Sequence, residues 1–421
     1  MKVVKNGRIL YKNNLIEADI GIERGKITEI KKTGLNGEII DAGNKIVLPG
    51  FIDSHVHFRD FKQKQKETWR TGSKAAAAGG ITTVVEQPNT DPPTLSRKAI
   101  RRKSKLASRR SFVDFGLNAG VVSGTDISEL NKEDPTAFGE IFLAHDELGI
   151  DLNELKGKVD EINKLDKKPT LHAEDQRIVD IGLKKFRDRS PGYFSRARPA
   201  KAEIKSIKEL KKTLDKNSVH ICHVSTAKAA KIVANTKNWT YEVTPHHLFF
   251  TKSDLEEKRS YIKTNPPVRN KRNRKRLWYY LKNESVDIIA SDHAPHTVGE
   301  KEGDFWDTPS GVPGVQTTLP LLAYQVKRKN ISINTLSKLM ARNPSEIFNM
   351  KNKGQIKEGN DADLVIMDFN EIKKINRSDL YSKCGWSPYE GKEAIFPEKT
   401  ILRGDVVYDK GGFEERKGER I

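Results

Sequence analysis

Cysteine and methionine are scarce in this chain, 2 and 4 among 421 residues. Two thiols, Cys222 and Cys384, can build neither a disulfide framework nor a cysteine-based zinc site, so any bound metal has to be held by histidines and carboxylates. No run approaches the roughly 18 consecutive apolar residues that a membrane span needs. The opening Met1-Lys2-Val3-Val4-Lys5 also lacks the apolar core of a secretory signal. The expectation is a soluble cytoplasmic protein without redox chemistry. Acidic residues are in deficit too, 57 against 76 basic ones, for a net charge of +19. Such an excess can mark a polyanionic partner. It is densest between Arg97 and Arg110, with eight basic residues and no acid, and from Arg269 to Arg276, with six of eight. Neither run carries the stacking aromatics or the signature of a dedicated nucleic-acid binder, so both read as solvated helix faces. Neither nucleic acid nor a membrane is expected as a partner.

What is present suits a globular protein: 36% hydrophobic residues, 32% charged and 30 glycines. The chain is too long for one ordinary core, which points to a large domain with a smaller one. Short alternating stretches punctuated by glycine occupy the first part: Val3 to Leu10, Ala18 to Ile22 and Lys26 to Ile30. The same texture returns near the far end in Gly354 to Ile356, Ala362 to Met367 and Thr400 to Tyr408. Neither piece alone buries much surface, so residues 1–48 and 351–421 are expected to meet in one small β-sandwich domain. Between them, apolar β runs alternate with helical segments, a pattern of parallel sheet wrapped in helices. Candidate strands begin near Val47, Ile81, Phe112, Gly139, Pro169, Val219, Tyr241 and Asp287. Eight such units predict an α/β fold, a (β/α)₈ TIM-type barrel over 49–350, with its chemistry at the C-terminal strand ends.

All 10 histidines fall between His55 and His296, inside that barrel, and most sit where a β run gives out. His55 and His57 are two apart on a strand, so both face one side and can grip one cation. His172 and His223 end later strands. His223 is preferred to His220, which faces the other way, because it lies nearer the strand end. Asp292 follows the last strand, where it could act as a ligand, a general base or a helix N-cap.

His55-Val56-His57, His172, His223 and Asp292, in that order on strands one, five, six and eight, resemble the amidohydrolase superfamily of metal-dependent hydrolases. Further segments narrow the resemblance: His57-Phe58-Arg59, Gln87-Pro88-Asn89-Thr90, Asn265-Pro266-Pro267-Val268-Arg269, Ser291-Asp292-His293-Ala294-Pro295-His296, Asn343-Pro344-Ser345 and Ser387-Pro388-Tyr389-Glu390-Gly391 look like the class I dihydroorotases. The likeness runs nearly end to end. It implies reversible closure of N-carbamoyl-L-aspartate to L-dihydroorotate in pyrimidine synthesis, with two Zn²⁺ ions activating water and polarising the carbonyl. Asp292 would then be both a metal ligand and the acid/base. The free carboxylate of the substrate calls for a planar cation, which Arg59 beside His57 supplies. By the same resemblance Asn89 and His296 complete that clamp and Asn265 touches the polar edge of the ring. Partners of such an enzyme are a small-molecule substrate and, as further expectations, an aspartate transcarbamoylase or other copies of the chain.

One position departs from the pattern. Where many relatives carry a carboxylated lysine bridging two metals, this chain has Glu140. Glutamate offers the same anionic bidentate head on a shorter stem. Glu140 is the expected bridge, with His145 or Asp146 just downstream, or no bridge and a weak second site, as the alternatives. His220, His246, His247 and His293 read as supporting or packing histidines, and Cys222 as an inert buried thiol. Two rivals stand beside the main reading: a dihydropyrimidinase or allantoinase acting on a ring without a carboxylate, and a catalytically silent scaffold.

Overall fold

The computed structural model describes residues 1–143, 149–414 and 418–421. Eight parallel strands pair in chain order: Phe51–Val56, Ile81–Glu86, Asp114–Ala119, Ala137–Phe142, Lys168–His172, Val219–Ile221, Trp239–Val243 and Ile288–Ile289. The ring closes where Val56 bridges in parallel to His293, the His57 N–H donating to the His293 carbonyl at 2.8 Å. Buried Asp53 reinforces this seam by accepting the Ser291 N–H at 3.0 Å.

Helices cover the barrel for readable reasons. Trp69–Ala78 starts at Thr68, whose side chain accepts the Thr71 N–H, and buries Ala75 to Ala78 against the sheet. Its end at Gly79-Gly80, the second glycine at φ 79°, turns the chain directly into strand two. The helix Arg97–Arg110 explains the denser basic run. Arg97 pairs with Glu129 and Glu133 at 2.7 Å each, Arg101 with Glu133 at 2.8 Å, and buried Lys103 donates to the Gln87 carbonyl at 3.0 Å. Part of that charge is therefore matched within the chain.

Two readings of the sequence need correction. Val47 does not open the barrel: Ile46–Pro49 pairs with Leu364–Met367, and the first barrel strand starts at Phe51. Gly50 separates the two, since a Cβ there would lie 2.3 Å from Thr82 Oγ1. Gly354 to Ile356 forms no strand. Gly354 presses against the carbonyl of Ala341, where a Cβ would meet the oxygen at 2.4 Å, and Ile356 instead fills the small core.

Both termini build a second, smaller β unit. A seven-stranded sheet interleaves Arg8–Tyr11, Asn14–Glu17 and Ile46–Pro49 with Leu364–Met367, Pro397–Leu402, Asp405–Asp409 and Gly412–Phe413. A four-stranded sheet of Lys2–Lys5, Asp19–Glu23, Lys26–Lys31 and Glu38–Asp41 faces it. Their common core contains Val4, Ile20, Ile22, Val47, Leu364 and Ile401.

The units are joined at the barrel floor. Lys353 extends its buried ammonium to Asp114 of strand three at 2.6 Å, Asp361 at 2.8 Å and Asp363 at 2.7 Å. Burial disfavours that charge, but the three carboxylates outweigh it and hold the ammonium far above the lysine range. The tail also docks here, Phe115 N–H donating to the Glu419 carbonyl at 2.9 Å and Ile421 N–H to the Phe115 carbonyl at 3.1 Å. Replacing Lys353 by Met leaves Asp363 buried without its ammonium partner and Asp114 with Arg403 alone. It is expected to lower unfolding stability by about 3–5 kcal/mol in urea titrations, and an unchanged midpoint would deny the network its role.

Candidate metal and substrate site

At the C-terminal strand ends lies a cavity of about 420 Å³ whose lining includes His57, Glu140, His172, His223 and Asp292 on one side and Arg59, Asn89, Asn265 and His296 on the other. Every site residue named from the sequence therefore meets at this place except His55, which is buried just behind it, in contact range of the same carboxylates. His145 and Asp146 lie outside the described residues.

Glu140 is the hub. Its Oε1 faces His172 Nδ1 at 3.1 Å and His223 Nε2 at 2.5 Å, and its Oε2 faces His55 Nε2 at 3.7 Å. Asp292 Oδ1 stands 3.2 Å from His57 Nε2 and 3.7 Å from His55 Nε2. Two overlapping ligand groups result, His55 with Glu140 and His223, and His55 with His57 and Asp292, the donor atoms of each lying within 4.8 Å of one another. The backbone supports this convergence with conformations rare for side-chain-bearing residues: Arg59 at φ 57°, His223 at φ 35° and Asp292 at φ 48°.

The outer nitrogens show which way each ring is used. His55 Nδ1 donates to Glu242 Oε1 at 2.6 Å, His172 Nε2 to Glu174 Oε2 at 3.1 Å, and His57 Nδ1 to Asn89 Oδ1 at 2.7 Å. Each ring then turns its lone pair inward, toward oxygens that also carry lone pairs. Such a confrontation requires a cation between the groups. The buried His55 Nε2 has no hydrogen-bond partner among the described residues. Three imidazoles aimed this way, His223 and two carboxylates form a donor set that fits divalent metal.

Charge points in the same direction. Burial alone would raise Glu140, but the neighbouring imidazoles of His223 and His172 hold it well below the carboxylate range. Glu174 and Glu242 are likewise kept low, against burial, by Arg198 and His55 respectively. His172 is disfavoured as a cation by burial, yet its bonds to Glu140 and Glu174 raise it to about 9. The anions persist at neutral pH and draw in either protons or a metal. Cys222 is no rival in this chemistry, since burial pushes its thiol far above the cysteine range.

Several supporting residues escape sequence reading. Glu242 of strand seven holds His55, accepts the His223 backbone N–H at 3.1 Å and meets His220 Nε2 at 3.3 Å. Glu174, two residues after His172, is itself clamped by Arg198 at 2.5 Å. The only signal was an acid placed among apolar strand residues or two positions after a histidine. His220 thus steadies Glu242, while His247 donates to the Pro266 carbonyl at 3.0 Å and so holds the loop of Asn265. His293 accepts the Gly314 N–H at 3.1 Å on its Nδ1.

The facing wall is built around Arg59, buried and with its Nε lacking a partner among the described residues. Asn89 commits its oxygen to His57 and Asn265 accepts from Ser310 Oγ at 3.1 Å, which leaves both amide NH₂ groups as donors. A planar anion is what such a wall can recognise.

The sequence matches the amidohydrolase family over residues 46–407. It is 40% identical to a dihydroorotase of Methanosarcina acetivorans, covering 99% of this chain and 93% of that one. Against a dihydroorotase of Pyrococcus furiosus the identity is 37%, over 100% and 96%. Among solved structures the fold superposes on an L-hydantoinase (dihydropyrimidinase) from Arthrobacter aurescens with a TM-score of 0.93 at 30% identity, covering 99% and 98% of the two chains. A D-hydantoinase from Thermus sp. gives 0.89 at 27% identity over 99% and 97%.

Replacing Glu242 by Gln keeps the size of the side chain but removes the anion that orients His55. Divalent-metal affinity, measured by chelator competition, is expected to fall about 10–100-fold; equal affinity would show that His55 needs no orienting partner.

Proposed function

The chain belongs to the amidohydrolase family, and from that premise we propose that it is a dihydroorotase, interconverting N-carbamoyl-L-aspartate and L-dihydroorotate with the help of two zinc ions. His55, His57, His172, His223 and Asp292 would hold the metal, and Glu140 would bridge it, because its two oxygens face different ligand groups. When bound, zinc supplies Lewis acidity that activates water and polarises an amide carbonyl near neutral pH.

The remaining work falls to side chains. Burial raises Asp292, but the bond to His57 and the charges of His55 and His223 outweigh it and keep the carboxyl ionised. Asp292 can therefore take a proton from water on its carboxylate during ring opening and return it to the leaving ring nitrogen; closure runs the same transfers backwards. Arg59 pairs with the carboxylate that survives in both substrate and product. Asn89 and His296 add N–H donors, and Asn265 binds the ring's polar edge.

The carrying observation is that buried, partly unsatisfied Arg59 shares one cavity with the imidazole–carboxylate cluster. Hydantoinases of the same fold act on rings that carry no carboxylate and have no need for that guanidinium. Sequence relatedness favours the same side, 36–40% identity to dihydroorotases against 24–30% to hydantoinase structures. A silent scaffold would have no reason to keep every donor atom of the cluster aimed inward.

Zinc-loaded protein should therefore open L-dihydroorotate at least about 10³-fold more efficiently than dihydrouracil or hydantoin, by kcat/KM, since a site built for a polar group rejects ligands lacking it. Comparable turnover of the uncharged rings would overturn the assignment. Arg59→Met should keep its zinc but lose about 100-fold in kcat/KM for carbamoyl aspartate. Glu140→Ala should bind less zinc per chain by elemental analysis, and unchanged stoichiometry would place the bridge elsewhere.

A further inference from the structure

Lys66 has no part in the chemistry above, yet it stands directly behind the carboxylate clamp. It lies in the loop before the helix Trp69–Ala78, with its side chain only 14% exposed. Its ammonium is 3.3 Å from His296 Nδ1 and 2.8 Å from Glu300 Oε1. An ammonium has only hydrogens to offer, so Nδ1 must present its lone pair, and the ring proton resides on Nε2. Nε2 is the atom on the cavity side. It donates to the Ser310 carbonyl at 3.0 Å and lies 3.4 Å from Arg59 Nη2; Arg59 and Ser310 line the cavity. The imidazole N–H, held at rest by the Ser310 carbonyl, thus lies beside the Arg59 guanidinium, where a carboxylate could share or take over that hydrogen.

The other tautomer has a sponsor within reach. Glu300 Oε2 lies 3.7 Å from His296 Nδ1, on the far side from the cavity. Were Lys66 absent, this carboxylate could draw a proton to Nδ1, leaving Nε2 with a lone pair facing an incoming carboxylate or charging the ring. The groups around His296 are Arg59, Lys66, Lys301 and Glu300; burial together with the three cations outweighs the glutamate and lowers the imidazole to about 3, so it stays neutral. The Trp386 indole N–H donates to the His296 carbonyl at 2.7 Å and secures the backbone, without touching the ring.

We propose that Lys66 is a positioning residue: by donating to Nδ1 it works with the Ser310 carbonyl to keep the His296 proton on Nε2, where an incoming carboxylate can take over that hydrogen as the second N–H donor of the clamp. The proposal rests on the dihydroorotase reading for what the clamp binds, but the tautomer itself is independent of it. Zinc-loaded wild-type, Lys66→Met and Lys66→Arg proteins would be labelled with ¹⁵N-histidine, His296 being assigned by its loss in His296→Gln. Long-range ¹H–¹⁵N spectra should show Nε2–H in the wild type and in Lys66→Arg, and Nδ1–H or a doubly protonated ring in Lys66→Met. In steady-state assays Lys66→Met should raise KM for carbamoyl aspartate about tenfold, with kcat changed less than about threefold, and Lys66→Arg should recover most of the loss. An Nε2–H ring in Lys66→Met would overturn the proposal, as would a KM loss that arginine does not repair. Should the wild type fail to turn over dihydroorotate, the functional reading falls, while the spectra still decide what Lys66 does. If Lys66→Met does not fold, the spectrum of Glu300→Gln and the kinetics of Lys66→Arg take its place: removal of the competing anion must leave Nε2–H intact, and a shift to Nδ1–H would refute the scheme.

Discussion

A carboxylate oxygen facing an imidazole lone pair is repulsive unless something positive lies between them, and Glu140 faces His172 and His55 in just that way. Its Oε1 meets His172 and His223 while its Oε2 looks toward His55. The four groups come from strands one, four, five and six, or from the turn directly after, so the barrel has to be closed and in register before they can meet. Once closed, it holds several buried acids and bases in a space where water cannot screen them, and the attraction for a cation is large. The left-handed backbone at His223 and Asp292 is tolerable only because the surrounding sheet leaves these residues no other position.

That arrangement depends on a ring of residues with no access to substrate. Glu242 orients His55, Glu174 orients His172, and Arg198 keeps Glu174 charged. A histidine whose outer nitrogen donates to an anion offers its inner lone pair in a fixed direction and with raised basicity. Lys66 applies the opposite logic on the substrate wall, donating to a ring instead of accepting from it, so that His296 turns a hydrogen rather than a lone pair toward the cavity. Anions behind the metal-facing rings and a cation behind the anion-facing ring set opposite tautomers in neighbouring parts of one site.

How much of this is legible in the chain follows from the range of the interactions involved. His55 and His57 are readable because strand period two puts them on one face, and His172, His223 and Asp292 because they stop apolar runs. Glu140 is singled out by the resemblance alone, since it stands where many relatives carry a lysine. Glu242 is not readable, since its partner His55 lies 187 positions earlier and no local pattern links them. The barrel's start is misread at Val47 because an apolar strand of the small domain runs into the first barrel strand, and only the close approach of Gly50 to Thr82 divides them. Gly354 to Ile356 looks like a strand in composition but is consumed by contact with a neighbouring helix end, a tertiary effect that propensity does not carry. The basic helix shows the same limit: its charge reads as a solvated face, while its acidic partners at Glu129 and Glu133 can be placed only in three dimensions.

Superposition on hydantoinases with TM-scores up to 0.93 shows that the scaffold alone does not select a substrate. Discrimination has to come from the cavity wall, and there an asymmetry in energetics matters. A buried guanidinium with an unsatisfied N–H is costly until an anion pairs with it, so a carboxylate-bearing ligand removes a penalty that the folded wall already carries. An uncharged ring of the same shape would leave Arg59 desolvated and unpaired. Specificity for an acid therefore comes as much from that standing penalty as from the hydrogen bonds the ligand makes. It also explains why the wall is arranged with such care: Asn89 and Asn265 have their oxygens occupied elsewhere, and His296 its lone pair, so that what each has left to offer is a hydrogen.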